Sequence, residues 1–542
     1  MQYSIFNVPN PINEPILDYA PGSKEKLGVK KELEKQASSV VRIPAIISGK
    51  EVWEGEEIKI SMPHDHSHVI AKYIKVGKKE LEKAALSALE AKKKWDSMPW
   101  EHRAGIFLKA ADLIAGPYRH KLNAATMLGQ SKTIFQAEID SACEIADFLR
   151  FNVYFAQEIY KNQPESAPGE WNKLEHRPLS GFILAISPFN FTAIGGNLPS
   201  APAMMGNTVV WKPAGTAVLS NYYLYEVFKE AGLPDGVINF VPSSGSDVSE
   251  TIMKHPRLAG VHFTGSTAVF SNMWKTIGEN IKTYEAYPRL VGETGGKDFV
   301  FAHKTANVNQ VVVALARGAF EYQGQKCSAA SRAYIPRSLW EDVKKGLLEE
   351  IAKIKVGDVR DFTNFMGAVI DKASFDNIVG YIEDAKVSPD AELLTGRYDD
   401  SKGYFVYPTV IEAKKLDYKS MREEIFGPVL TIYVYEDEKL EETLEACKTG
   451  SAYALTGAIL SRDRYALSYM KDYLADAAGN FYLNDKPTGA VVGRQPFGGG
   501  LASGTNDKAG SILNLLRWVN PRTVKETFIT PEKVEYPFMQ ES

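Results

Sequence analysis

The stretch GFILAIS (181–187), followed by TVVWKP (208–213), GVINFVP (236–242), LAGVHFTG (258–265) and RLVGETGG (289–296), decides the fold. Each run is short, apolar, rich in β-formers and bounded by Gly, Pro or Asn, so each reads as a strand. Between them lie helical patterns. SNYYLYEVFKEAGLP (220–234) is one, and it stops on Gly232 and Pro234 as a helix should. Strand–helix–strand alternation at this spacing predicts an α/β fold, a parallel sheet with helices on its faces. The alternation resumes with VNQVVVALARGAFEY (308–322) and SLWEDVKKGLLEEIAKI (338–354), which predicts a second α/β domain.

Upstream, KKELEKAALSALEAKKKW (78–95) and EHRAGIFLKAADLIAG (101–116) carry an apolar stripe at helical spacing. KNQPESAPGEWNKLEHRP (161–178) is polar and Pro-rich and reads as a loop or an excursion from the core. PRTVKETFITPEKVEYPF (521–538) alternates like a strand outside either core, and such a tail often pairs with another subunit.

A chain of 542 residues and 60.0 kDa exceeds one hydrophobic core, so two or three domains are expected. A net charge of -4 argues against a nucleic-acid binder, and no apolar run is long enough to span a membrane. The first 22 residues lack a basic start before an apolar block and carry Glu14 and Asp18. The expected setting is the cytoplasm, or the mitochondrial matrix if a presequence has been removed. Three cysteines, with no CxxC or Cys/His cluster, are neither a disulfide framework nor a zinc site, so no metal is expected.

Ligands bind at the carboxyl ends of strands in such sheets, so the residues that follow each strand matter most. Asn190, between Phe189 and Phe191, is an oriented amide donor or a turn residue. Lys212 suits a ribose or phosphate, or is a solvated surface lysine. Gly265 and Ser266 open a helix that attracts phosphate, or merely cap it. Glu293, among Gly292, Gly295 and Gly296, suits a general base that must reach water, or is an exposed turn residue. Cys327 sits among small and polar residues, where backbone N–H groups or Lys326 could stabilise a thiolate. Cys143 and Cys447 lie in ordinary helical patterns and read as packing residues.

Together, Pro188-Phe189-Asn190, Trp211-Lys212-Pro213, Phe263-Thr264-Gly265-Ser266, Glu293-Thr294-Gly295-Gly296-Lys297, Gly324-Gln325-Lys326-Cys327 and Glu423-Glu424-Ile425-Phe426-Gly427-Pro428 resemble the aldehyde dehydrogenase superfamily over about residues 45–530. The runs 188–197 and GAVVGRQPFGGGLASGTND (489–507) look like its L-glutamate γ-semialdehyde dehydrogenases, which use NAD in the second step of proline catabolism. The resemblance implies a Rossmann-type NAD-binding domain (1–158 and 179–296), a catalytic domain (297–508) and a small β oligomerisation element (159–178 and 509–542). It implies a homodimer or dimer-based oligomer with a functional link to proline dehydrogenase.

By the same resemblance, Cys327 is the nucleophile, Glu293 the base that hydrolyses the thioester, and Asn190 with the Cys327 N–H the oxyanion hole. Ser187 and Lys212 lie near the adenosine ribose, Gly265 and Ser266 at the pyrophosphate, and Glu424 and Phe426 at the nicotinamide end. Glu144 faces the substrate's α-ammonium. Ser328, Gly489 and Ala490 hold its carboxylate, and Phe191 and Phe497 sandwich its aliphatic part. Three departures stand out. Gly215 replaces the usual ribose-binding Glu, so NADP is not excluded, though weaker; Phe270 replaces a Gly; and Ala490 replaces a Ser found in some relatives. A CoA-acylating relative needs no water-activating base, so Glu293 and Glu144 speak against it. A non-catalytic protein of the same fold has no reason to keep Cys327, Asn190 and Glu293.

Overall fold

The computed structural model describes residue 4 and residues 6–540. The five quoted stretches form strands Phe182–Ile186, Thr208–Lys212, Ile238–Phe240, Leu258–Thr264 and Arg289–Glu293, all parallel to one another. Ala45–Ile47 and Lys50–Val52 extend this sheet antiparallel to seven strands. In space Phe182–Ile186 lies between Thr208–Lys212 and Leu258–Thr264, so the chain's direction of winding reverses beside it. That reversal opens a crevice at the carboxyl ends of Phe182–Ile186 and Leu258–Thr264. The first is followed by Ser187 to Phe191, the second by Gly265 and Ser266.

A second seven-stranded sheet contains Asp298–Ala302, Ala330–Pro336, Val429–Tyr435 and Thr456–Leu460, parallel at its centre, with Ala391–Thr395 antiparallel at one edge. Helices Val308–Phe320 and Arg337–Lys353 form where the apolar spacing placed them. So do Lys78–Trp95, Trp100–Ala115 and Arg119–Gln130.

Three features differ from the sequence reading. First, within the stretch read as a loop or an excursion from the core, Glu170–Pro178 is a regular strand. It pairs antiparallel with Val519–Thr527 of the same chain, over nine residue pairs from Thr527↔Glu170 to Val519↔Pro178. Both faces of this ribbon are largely exposed, so no apolar alternation marked it. Second, the chain around 518 does not leave the first core. Trp518 is fully buried against Gly260 and the His262 ring, and its carbonyl accepts from Asn207 Nδ2 at 2.8 Å. Third, the long helical stretch from Ile134 to Lys161 widens to a π-helical segment over Glu138–Glu144, a distortion common at functional sites.

If Trp518 is a core residue of the first sheet, Trp518→Ala should cost about 3–5 kcal/mol in urea unfolding. A loss below about 1 kcal/mol, the range of surface substitutions, would return 518 to a peripheral tail.

Candidate active site

Cys327 is delivered by strained backbone. Helix Val308–Phe320 ends, and Tyr322 and Gln323 take left-handed φ of 51° and 54°, followed by Gly324 at 65°. Such conformations persist only where the surroundings over-determine them. Here two buried glutamine side chains do so. Gln323 Nε2 donates to Ser131 O and Ala368 O, and its Oε1 accepts from Gly367 N. Gln325 Oε1 accepts from Ile370 N at 2.9 Å. A side chain on Gly324 would stand 2.2 Å from Gly427 O, so only glycine lets this loop meet the Glu423–Pro428 motif.

The second motif is clamped from the opposite side. Thr294 N donates to Ser503 O at 2.9 Å, Thr505 N to Gly292 O at 2.9 Å, and Gly292 N to Thr505 Oγ1 at 3.0 Å. The chain at 502–505 thereby holds Glu293 in place, and Gly296 passes so close to Cys327 O that a Cβ there would lie 2.3 Å from it. The Glu293 carboxyl faces the Cys327 thiol. Its Oε1 is buried without a partner among the described residues, a position that a hydrolytic water would satisfy. Burial is the main cause that pushes Glu293 up to about 7. Burial, with the Glu293 charge, also pushes the Cys327 thiol up.

Lys326 does not stabilise a Cys327 thiolate, contrary to one option left by the sequence. Its ammonium pairs with Glu321 at 3.0 Å. Asn190 is buried and donates one amide hydrogen to Gln325 O at 3.1 Å, two residues before the nucleophile. Among the described residues its other N–H has no partner.

One cavity of about 330 Å³ is lined by Cys327, Glu293 and all six residues expected at the substrate: Glu144, Phe191, Ser328, Gly489, Ala490 and Phe497. Glu144 closes the π-helical segment, and burial together with the charge of Asp140 pushes it up to about 8. Asp140, one turn earlier, accepts from Thr192 N and Ala193 N and pairs with Lys132 at 2.7 Å. That fixes the start of helix Thr192–Met204 and aims Phe191, whose ring lies 3.9 Å from Lys132 Nζ. Phe497 is pinned by backbone hydrogen bonds with Ala509 in both directions. Ser328 Oγ meets Thr488 Oγ1 at 2.8 Å.

None of the residues expected at the cofactor lines this cavity. Glu424 is tied to the Glu293 motif, its Oε1 accepting from Gly296 N at 2.8 Å. Phe426 has a left-handed φ of 56° and packs edge-on to Phe189, with ring centroids 5.8 Å apart. The Lys212 ammonium has no polar partner among the described residues, and burial pushes it down. Ser266 caps helix Thr267–Glu279 by accepting from Val269 N. Gly265 N is already given to Glu293 O at 3.2 Å. Ser187 is committed internally: its hydroxyl accepts from Trp211 Nε1 at 2.6 Å and donates to Gly195 O at 3.2 Å. Phe270 stacks on Phe263, centroids 5.4 Å apart, and covers Gly292, which is the local difference its bulk requires.

His262 and Lys486 are among the cavity residues that the sequence reading passed over. His262 Nδ1 donates to Leu198 O at 2.9 Å, and burial pushes it down to about 4. Lys486 Nζ lies 3.2 Å from where a side chain on Gly489 would begin. Lys486 follows strand Asn480–Leu483 of the second sheet, so the strand-end rule applied there would have found it.

The sequence model of the aldehyde dehydrogenase family matches residues 52–524, and the chain belongs to that family. It is 54% identical over 537 residues to the mitochondrial Δ1-pyrroline-5-carboxylate dehydrogenase of Dictyostelium discoideum, covering 98% of this chain and 96% of that one. The crystal structure of the Mycobacterium tuberculosis Δ-pyrroline-5-carboxylate dehydrogenase bound with NAD is similar at a TM-score of 0.96 and 50% identity, over 100% of both chains. Proline utilization A from Bdellovibrio bacteriovorus, at a TM-score of 0.92 and 31% identity, matches 98% of this chain but 55% of its own length.

The shifted Glu293 has a consequence for stability. Its folded-state value of about 7 lies above the ordinary 4.5. The ionised carboxylate is therefore a cost to the fold that is absent below about 4.5 and complete above about 7. Glu293→Gln should stabilise the protein by about 1–3 kcal/mol at pH 8 and leave it unchanged at pH 4. Urea unfolding at both pH values checks this; equal differences at both would remove the buried-acid assignment.

Proposed function

We propose that this protein oxidises L-glutamate γ-semialdehyde, the open form of Δ1-pyrroline-5-carboxylate, to L-glutamate with NAD, the second step of proline catabolism. The observation that carries the reading is the single cavity that gathers Cys327, Glu293 and groups for both charges of an amino acid. Likeness to proteins named for this activity, one of them solved with NAD, supports it.

In this mechanism Glu293 takes the Cys327 proton, and the sulfur attacks the aldehyde carbon. The free amide N–H of Asn190 and the Cys327 backbone N–H stabilise the resulting oxyanion, each donor being worth about 2.7–4 kcal/mol. NAD, when bound, supplies the two-electron acceptor that turns the thiohemiacetal into a thioester. Lys212 and Ser187, through its backbone, serve the adenosine ribose; the N-terminus of helix Thr267–Glu279 at Gly265 and Ser266 serves the pyrophosphate; Glu424 and Phe426 serve the nicotinamide end. The unpartnered Lys212 ammonium is the feature that fits this ligand best. With Gly215 in place of a carboxylate, NADP is accepted more weakly than NAD rather than refused. Glu293 passes the proton it took from Cys327 to solvent, and then removes a proton from water through its unpartnered oxygen. The water attacks the thioester carbonyl, and Cys327 leaves as thiolate, restored for the next turnover.

Glu144 holds the α-ammonium. Ser328 and the N–H groups of Gly489 and Ala490 hold the carboxylate, with Lys486 adding the cation that makes up for the hydroxyl missing at Ala490. Phe191 and Phe497 enclose the methylenes. The domain boundaries implied by the resemblance remain our reading, with 509–519 moved to the first core. Among the described residues the ribbon Glu170–Pro178/Val519–Thr527 has two unpaired edges, which supports a homodimer or dimer-based oligomer. Proline dehydrogenase is the functional neighbour. The proposed setting is the cytoplasm or, as in the name of the Dictyostelium relative, the mitochondrion. No described helix is long and apolar enough to cross a membrane.

Cys327→Ala should abolish NADH formation from glutamate semialdehyde while leaving NAD binding, measured by tryptophan fluorescence, intact. Full turnover by that variant would disprove the nucleophile. Glu144→Ala should raise KM for glutamate semialdehyde by about tenfold or more, the loss of one charge-assisted contact, and change hexanal oxidation far less. Equal effects on both aldehydes would remove the ammonium assignment.

A further inference from the structure

The cavity that ends at Cys327 begins at a rim. Cys327 is 8% exposed, whereas Ile16 and Phe135, which line the same cavity, are 48% and 50% exposed. Phe135 belongs to the wall formed by the stretch 134–148. Ile16 comes from an extended segment near the start of the chain, more than 300 residues away in sequence from the nucleophile.

That segment is fastened on both sides of Ile16. Before it, Asn13 Nδ2 donates to Asp147 Oδ2 and to Val492 O, each at 2.8 Å. Glu14 binds Arg119 and Arg150 at 2.7 Å each, and its N–H donates to Asp147 Oδ1. Pro15 O accepts from Arg119 Nη2 at 2.8 Å. After it, Leu17 N donates to Glu138 Oε1 at 3.0 Å, and Tyr19 OH to Glu138 Oε2 at 2.7 Å. The residues flanking Ile16 are both held by their backbone, so its side chain has little freedom to swing out of the mouth. The strap also joins opposite walls: Glu138 and Asp147 belong to the helical wall, while Val492 and Arg494, which donates to Asn13 Oδ1, belong to the loop carrying Gly489 and Ala490. An apolar side chain half exposed at such a rim adds little to the core, yet nine bonds to charged or buried partners fasten the segment that carries it.

We propose that Ile16 is a specificity-determining residue: fixed by the strap 13–19, it narrows the entrance and excludes aldehydes longer or bulkier than a compact amino-acid semialdehyde. This rests on Cys327 as the reactive thiol.

Access to that thiol can be read without turnover. In the full chain, Cys327 alkylation is followed by peptide mass spectrometry with small iodoacetamide and bulky fluorescein-5-maleimide. The parent is compared with Ile16→Ala, Ile16→Trp and Ile12→Ala, the last a change on the same segment at a side chain that does not line the cavity. Ile16→Ala should raise the maleimide-to-iodoacetamide rate ratio by about tenfold, the scale on which a few methylenes discriminate in a pocket. Ile16→Trp should lower it, and Ile12→Ala should leave it unchanged. The ratio of kcat/KM for hexanal over glutamate semialdehyde should move in the same order. An alkylation ratio that is the same in all four proteins overturns the proposal, even if the parent oxidises glutamate semialdehyde well. If the ratio moves as expected but the parent does not oxidise glutamate semialdehyde, the gate stands and the substrate reading falls.

Discussion

The site depends on placing a thiol and a carboxyl against each other where burial leaves either charge poorly solvated. Burial raises both Cys327 and Glu293, and each raises the cost of ionising the other or lowers it by hydrogen bonding. The pair therefore holds a proton that has no comfortable resting place. In the proposed mechanism, an aldehyde carbon that accepts the sulfur's electrons lets the thiol give up that proton, and Glu293 at about 7 is matched to receive it near neutral pH. The same mismatch is a liability to the fold. It is tolerated because the residues around it are fastened from several directions at once.

Those fastenings are mostly backbone. Three consecutive left-handed residues, Tyr322 to Gly324, turn the chain so that Cys327 faces Glu293 rather than continuing a helix. Gln323 and Gln325 hold the turn, and the 502–505 segment holds the base. A reaction that needs atoms within a few tenths of an ångström is served better by main-chain clamps than by side chains on a surface, because fewer torsions must be frozen.

The strand-end residues were legible because an apolar run followed by a polar turn leaves a local signature. Glu293 and Asn190 came from that rule, Cys327 from its small and polar neighbours after a helix, and all three from the resemblance of the motifs. What was not legible depends on distant partners. Lys326 adjoins Cys327 in sequence but turns to Glu321, a choice decided by the packed surroundings. Glu170–Pro178 is held by its pairing with residues some 350 positions later and shows no apolar face. Trp518 looks like part of a tail until Gly260 and His262 are seen against it. The π-helical segment has no composition of its own; it forms where Asp140 must reach two N–H groups of another helix.

In the proposed function, Glu144 is where such long-range packing becomes recognition. Its helix could have continued with ordinary geometry, sending that side chain elsewhere around the axis. The wider turn spends Asp140 and Glu138 on structural partners, Lys132 and Arg119, and leaves Glu144 as the acid of the segment that faces the cavity without a hydrogen-bond donor among the described residues. Burial holds it largely protonated at neutral pH. A ligand that arrives with its own ammonium supplies the missing counter-charge and lets Glu144 ionise, releasing a proton. A neutral aldehyde of the same length offers no such exchange. On the proposed reading, selectivity for a charged substrate follows from an acid kept uncharged in its absence, and the cost of burying it is returned by the partner whose charge it meets.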